Sequence, residues 1–122
     1  MTNCVFCSLE REPIAQNEFA FAIFDAFPVN NGHALVIPKR HVADFFELTS
    51  SERNACFELV AEVKAKLETR FLPDGYNVGI NVGAAAGQTI FHVHIHVIPR
   101  YTGDVASPRG GVRGVIPSKQ SY

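Results

Sequence analysis

The chain has 122 residues, 47% of them apolar and 19% charged. That length fits one compact domain spanning 1–122, and the composition supplies a core and excludes a disordered chain. With 11 basic and 12 acidic residues the net charge is −1, so no global field selects nucleic acid or an anionic membrane, and an anionic ligand must be captured locally.

The first predicted element is a strand at Phe19–Asp25 (FAFAIFD), aromatic and apolar after Asn17-Glu18. Pro28–Gly32 (PVNNG) is dense in turn residues. His33–Ile37 (HALVI) follows as a second strand that Pro38 ends, giving an antiparallel pair with Asp25 at one exit and His33 at the other entry. Thr49 and Glu52 have capping-box spacing and start a helix that runs to about Phe71. Cys56, Val60, Val63 and Leu67 make its apolar stripe, with Lys64, Lys66 and Glu68 mainly off it. Pro73-Asp74-Gly75 ends the helix. Tyr76–Val82 reads as a strand, Gly83–Gly87 (GAAAG) as a loop, and Gln88–Ile98 as a further strand. From Tyr101 the chain becomes a Gly/Pro/Arg-rich tail, irregular or with a short last strand at Val112–Ile116. No repeat or linker is present. The order predicts an α+β fold: an antiparallel sheet of about five strands, one long helix and a short N-terminal one.

No run of about 18 apolar residues suggests a transmembrane helix. Met1-Thr2-Asn3-Cys4 has no basic region leading into an apolar one, so no secretory signal is expected. The three cysteines, Cys4, Cys7 and Cys56, are an odd number and point to a reducing compartment, hence the cytoplasm. Cys56 falls on the helix stripe and reads as a small core residue.

The chemistry concentrates at His92-Val93-His94-Ile95-His96. On a strand, a period of two sends the three imidazoles to one face and Val93, Ile95 and Val97 to the other. Three titratable rings in a row give a fold little, because branched or aromatic residues pack better there. Two uses remain. Histidines at i and i+2 can chelate zinc. Alternatively, one histidine is a nucleophile: neutral, held in one tautomer, and flanked by donors for oxyanions. Gln88 and Thr89 are hydrogen-bonding groups rather than charged ligands, and Gly87-Gln88-Thr89-Ile90 offers backbone N–H groups, which favours nucleophilic or phosphate-binding use.

Gln88 to Arg100 (QTIFHVHIHVIPR) resembles the signature of the histidine-triad (HIT) superfamily of nucleotidyl hydrolases and transferases. Asp25, the turn and Gly32–Lys39 (GHALVIPK) are similar to that family's second block, so the likeness runs from about Cys4 to Arg100. The resemblance implies that His94 attacks the α-phosphorus of a nucleotide and carries a covalent nucleotidyl intermediate. It implies that His96 donates to a phosphate oxygen and that His33 belongs to the ring network orienting the triad. Gln88 and Thr89, with Gly87 and Ile90, would bind the α-phosphate and the leaving side. Asp25 would accept from the ribose hydroxyls, and Asn81 would be another polar contact. From the residues alone, His33 is equally a turn residue capping its strand, and Asp25 a turn acceptor. An imidazole with an unperturbed pKa of about 6.5 is a good nucleophile at neutral pH.

Cys4-Val5-Phe6-Cys7 is a CxxC, incomplete alone because structural zinc takes four ligands. Resemblance to zinc-bearing members implies a closed structural Zn²⁺ site of Cys4, Cys7, His41 and His92, leaving His94 and His96 free. The other reading is a pair of reduced thiols. Arg109 and Arg113 could fold over a polyphosphate, or belong to a solvated C-terminus or a strand exchanged with a partner; Arg100 reads as structural.

Gln88-Thr89 and Pro99-Arg100 look like the dinucleoside polyphosphate hydrolase branch (the fragile-histidine-triad type), whereas Asp25 cuts the other way. The resemblance thus implies cleavage at the α-phosphate of dinucleoside polyphosphates such as diadenosine tetraphosphate. The alternatives are a nucleoside phosphoramidase, a phosphorylase or nucleotidyltransferase, a non-enzymatic nucleotide-binding adaptor and, remotely, a metal-dependent hydrolase. It also implies a homodimer in which two sheets abut, with a nucleotide as partner and neither nucleic acid nor membrane.

Overall fold

A computed structural model describes residues 3–122; Met1 and Thr2, which open the segment read as carrying no signal, lie outside it. The strands are β1 (Ala15–Gln16), β2 (Ala20–Phe24), β3 (Ala34–Pro38), β4 (Gly75–Ile80) and β5 (Ile95–Arg100), and the one long helix is α1 (Ser50–Phe71). They form a single antiparallel sheet in the order β1-β2-β3-β5-β4.

The period of two divides the sheet chemically. Ala20, Ala22, Ala34, Val36, Ile95 and Val97 face α1 and pack on Cys56, Leu59, Val63 and Leu67. Three alanines on that face let the helix approach closely, and each fully buried Leu or Val adds about 1.5–3 kcal/mol. The stripe runs through Leu59, while Val60 is only partly buried, one position from the expectation. Ile23, Leu35 and Ile37 face the other way and are covered by Phe6 from the N-terminal turn. The helix-free face is therefore the one left for a site.

The expected capping box forms: Thr49 Oγ1 accepts from the Glu52 N–H, and Glu52 Oε1 accepts from the Thr49 N–H. Glu52 also takes a bidentate pair from Arg40, Nε at 2.9 Å and Nη2 at 2.8 Å. These donors hold the Glu52 carboxyl down to about 2, against the opposing effect of burial. The pair ties the exit of β3 to the start of α1. At the other end, Leu72 is left-handed (φ 53°) and donates to the Glu68 carbonyl. Gly32 (φ 88°) lets the β2–β3 turn cross there, since a Cβ would stand 2.9 Å from the Phe71 ring.

Four expectations are corrected. β5 begins at Ile95, so Gln88 to His94 is not strand; Val93 instead donates to the Val42 carbonyl in the β3–α1 connection (2.7 Å), away from any ladder. No short N-terminal helix forms among the described residues, because the Cys7 N–H closes a turn on the Cys4 carbonyl. The tail makes 3₁₀ turns at Gly111–Val115 and Pro117–Lys119 rather than a strand, as the positive φ of Gly110 (92°) and Gly111 (48°) breaks extension. β4 stops at Ile80 rather than Val82. β1 has no sequence counterpart above. Among the described residues no helix is long and apolar enough to cross a membrane.

Candidate functional site

Asp25 leaves β2 and His33 enters β3, closed by the Asp25 N–H donating to the His33 carbonyl at 2.9 Å. His96 lies in β5 between Leu35 and Gly79, so it shares the helix-free face. His92 and His94 lie on the irregular approach to β5. Exposure falls to 2% at His33, 0% at His92 and 9% at His94.

Buried rings must spend their nitrogens, and each partner fixes a tautomer. His92 Nε2 donates to the Pro38 carbonyl at 2.7 Å, leaving Nδ1 with a lone pair. His94 Nδ1 donates to the His92 carbonyl at 2.8 Å, leaving Nε2 with a lone pair. His33 Nδ1 accepts from the Val29 N–H at 3.0 Å, so its proton sits on Nε2. That proton is donated to His96 Nδ1 at 2.9 Å, which leaves the His96 proton on Nε2. Burial, helped by the neighbouring His94 and His33, pushes His96 down to about 4. Burial also lowers His33, against the pull of Asp25, and lowers His92. These three rings are neutral at pH 7.

Asp25 Oδ1 accepts from the Phe27 N–H at 2.9 Å, and Oδ2 lies 3.5 Å from His33 Nε2. Asp25, His33 and His96 thus cluster, but the two rings meet end-on, with centroids 5.2 Å apart across a 2.9 Å N···N contact. That contact is a hydrogen bond, with the proton on His33 Nε2 and the lone pair on His96 Nδ1.

Gln88 is buried with its amide spent: Oε1 accepts from Gly83 N–H at 2.9 Å, and Nε2 donates to the Ala43 and Ile90 carbonyls. It shapes the Gly83–Ile90 loop rather than offering a free amide. The Gly87 and Gln88 N–H groups close turns on Ala84 and Gly83. Among the described residues, the Thr89 hydroxyl and the N–H groups of Thr89 and Ile90 have no partner. Asn81 lines a cleft with His33 and His96.

Cys4, Cys7, His41 and His92 converge, their ligand atoms all within 4.8 Å of one another. His92 Nδ1 is 3.4 Å from Cys4 Sγ and 3.6 Å from Cys7 Sγ, and His41 Nδ1 is 3.3 Å from Cys7 Sγ. Sequence reasoning missed Phe6. Carried between the two cysteines, it packs edge-on against His92 and His94, with centroids at 5.9 and 5.1 Å. Its signal was an aromatic residue inside the CxxC. In the tail, Arg109 and Arg113 flank the Tyr122 ring at 4.7 and 4.9 Å, and Arg113 donates to the Lys119 and Gln120 carbonyls. Arg100 is held by Asp104 and Asn77.

The HIT domain family matches residues 9–103. The chain is similar to a HIT-like protein of 16.1 kDa from Mycoplasma pneumoniae, 42% identical over 104 residues that cover 81% of this chain and 72% of the relative. It is also similar to an AP-4-A phosphorylase of Mycobacterium tuberculosis, 33% identical over 92 residues that cover 75% of this chain and 47% of that protein. Among solved structures, a zinc-bound histidine triad family protein from Mycobacterium smegmatis superposes with a TM-score of 0.78 at 34% identity, over 87% of this chain and 81% of the other.

Proposed function

Because the chain belongs to the HIT domain family, we propose that it hydrolyses dinucleoside polyphosphates at the α-phosphate through a nucleotidyl-His94 intermediate. The observation that carries this reading is the His94 ring, tied at Nδ1 to the His92 carbonyl with Nε2 left as a lone pair. Nε2 attacks the α-phosphorus. An N–P bond forms while the P–O bond to the rest of the chain breaks, and the electron pair leaves on that oxygen. A polyphosphate departs with little proton help. His96 donates its Nε2 proton to a phosphate oxygen as charge builds, and the Thr89 hydroxyl with the Thr89 and Ile90 N–H groups supplies further donors. Asp25 accepts from ribose hydroxyls, and Asn81 contributes a polar contact. Water then attacks phosphorus, the N–P bond breaks, the imidazole recovers its lone pair, and the water's proton goes to solvent.

Cys4, Cys7, His41 and His92 would hold a zinc ion. The donor set is Cys₂His₂, and Zn–S near 2.3 Å with Zn–N near 2.0–2.1 Å gives tetrahedral S···N edges of about 3.5 Å, against 3.3–3.6 Å here. Zinc there supplies a closed structural anchor and no reacting group. The reading extends to one domain over 1–122, a homodimer with abutting sheets and a cytoplasmic setting; sedimentation tests the dimer.

The test is product analysis. Wild type and His94→Ala are incubated with diadenosine tetraphosphate and, separately, with adenosine phosphoramidate. AMP and ATP from the dinucleotide, lost in the variant, support the proposal. AMP from the phosphoramidate alone would make the chain a phosphoramidase. Similarity to a protein described as an AP-4-A phosphorylase favours one second reading: ADP formed only when phosphate is added would make it a phosphorylase.

A further inference from the structure

A cleft of about 560 Å³ opens between the Cys4–Cys7 turn and the Thr89–Phe91 segment. That volume lies in the range of small-ligand sites, roughly 300–1,000 Å³. It begins at Thr89 and Ile90, where the proposed function puts the reacting phosphate. Its other walls are Asn3, Val5 and Phe91, with Cys4 and His41 behind. Among the described residues no lining side chain is a carboxylate, lysine or arginine, so these walls suit an uncharged group rather than the phosphate chain. Val5 and Phe91 are each 50% exposed, leaving an aromatic surface for stacking, and the Asn3 amide can meet a polar edge. A separate cleft of about 420 Å³ holds His33, Asn81 and His96 and shares no lining residue with the first. His96 lines the second cleft, and the first is lined by Thr89–Phe91, the residues that lead into His92.

We propose that the cleft walled by Val5 and Phe91 receives the nucleobase of the departing mononucleotide, making Phe91 a specificity-determining residue for two-headed substrates. This rests on the hydrolase reading, which supplies the phosphate's position. Stacking of a base on an aromatic ring supports preferences of about ten-fold.

The experiment compares diadenosine tetraphosphate with adenosine tetraphosphate, which has the same phosphate number and no second base. Affinity is measured by calorimetry on His94→Ala, with and without Phe91→Ala or Phe91→Trp, and KM is measured on the catalytic form. The proposal expects the two-headed ligand to bind about ten-fold tighter, with the preference lost in F91A and kept in F91W, and with the one-headed ligand unchanged throughout. Equal affinities for the two ligands in the parent, or equal weakening of both in F91A, would overturn it. Absence of hydrolysis with the binding preference intact would overturn the hydrolase reading and leave the subsite standing.

Discussion

His94 donates from Nδ1 to the main-chain oxygen of His92 across 2.8 Å, and His92 donates from Nε2 to the Pro38 carbonyl across 2.7 Å. Two histidines two residues apart are therefore locked in opposite tautomers. The lone pair of His92 is Nδ1, aimed at Cys4 and Cys7; that of His94 is Nε2. One short segment thus turns one lone pair toward the two cysteines and leaves the other on the ring proposed as nucleophile.

If His94 Nε2 is the nucleophile, His94→Ala lowers kcat by at least about 1,000-fold, because no neighbour supplies an equivalent lone pair. The fold survives, since the variant loses a single hydrogen bond, from His94 Nδ1 to the His92 carbonyl. Wild type quenched during turnover in alkaline denaturant, where the N–P bond persists, should gain the mass of one nucleotidyl group per chain, on His94. A variant within ten-fold of wild type would remove the assignment.

Metal analysis should find one zinc per chain, and Cys7→Ser should reduce it below a tenth. Binding to the folded state alone raises stability, so the same variant should melt earlier, by several degrees. Thiol labelling gives an independent reading. Cys56 is fully buried, and burial pushes its thiol up to about 11, so native protein should label at Cys4 and Cys7 only, and only after metal removal.

The helix was legible because its determinants are local: Thr49 and Glu52 are three residues apart, and their reciprocal bonds need nothing else. The β2–β3 pair was legible for the same reason, with Asp25 and His33 flanking one turn. The approach to β5 was not. Its alternation of histidine and valine reads as strand, yet Val93 bonds to Val42, fifty-one residues away, and no period reports a partner's absence. Phe6 was hidden likewise, since its contact with His94 depends on how the CxxC turn docks. The grouping of Cys4, Cys7, His41 and His92 was visible only as a resemblance, because Cys4 and His92 are eighty-eight positions apart in the chain and meet only once the sheet forms.

Acid should unfold the chain in two windows. His96 titrates near 6.5 when unfolded and about 4 when folded. The unfolded state then binds the extra proton, so this stability is complete above 6.5 and is lost as the pH falls toward 4. Glu52 sits at about 2 against 4.5 unfolded, so its contribution is complete above 4.5 and lost as the pH falls toward 2. Arg40 is half exposed, and screening reduces the Glu52 contribution to about 1–2 kcal/mol. Urea titrations from pH 3 to 8 should show a shallower slope between 4 and 6.5 for His96→Asn, and between 3 and 4.5 for Glu52→Gln, than for wild type. Parallel curves would contradict the corresponding assignment.

A chain of bonds runs from the Val29 N–H to His33 Nδ1, and from His33 Nε2 to His96 Nδ1. A main-chain N–H can only donate, so it forces the His33 proton to Nε2. His96 must then accept at Nδ1 and present Nε2–H. A backbone amide of the β2–β3 turn thus sets the protonation of a ring in β5. Removing His33 leaves His96 Nδ1 without a donor, and the ring becomes free to populate both tautomers. His33→Ala should therefore lower kcat by roughly 10–100-fold with KM within about three-fold, as expected when a donor is lost in the transition state. A purely structural role would instead lower the melting temperature and leave the surviving protein's kcat intact. Nitrogen-15 NMR distinguishes the two, because His96 should report a single Nε2–H tautomer in wild type and a mixture in the variant. A single unchanged tautomer in His33→Ala would break the chain at its second bond.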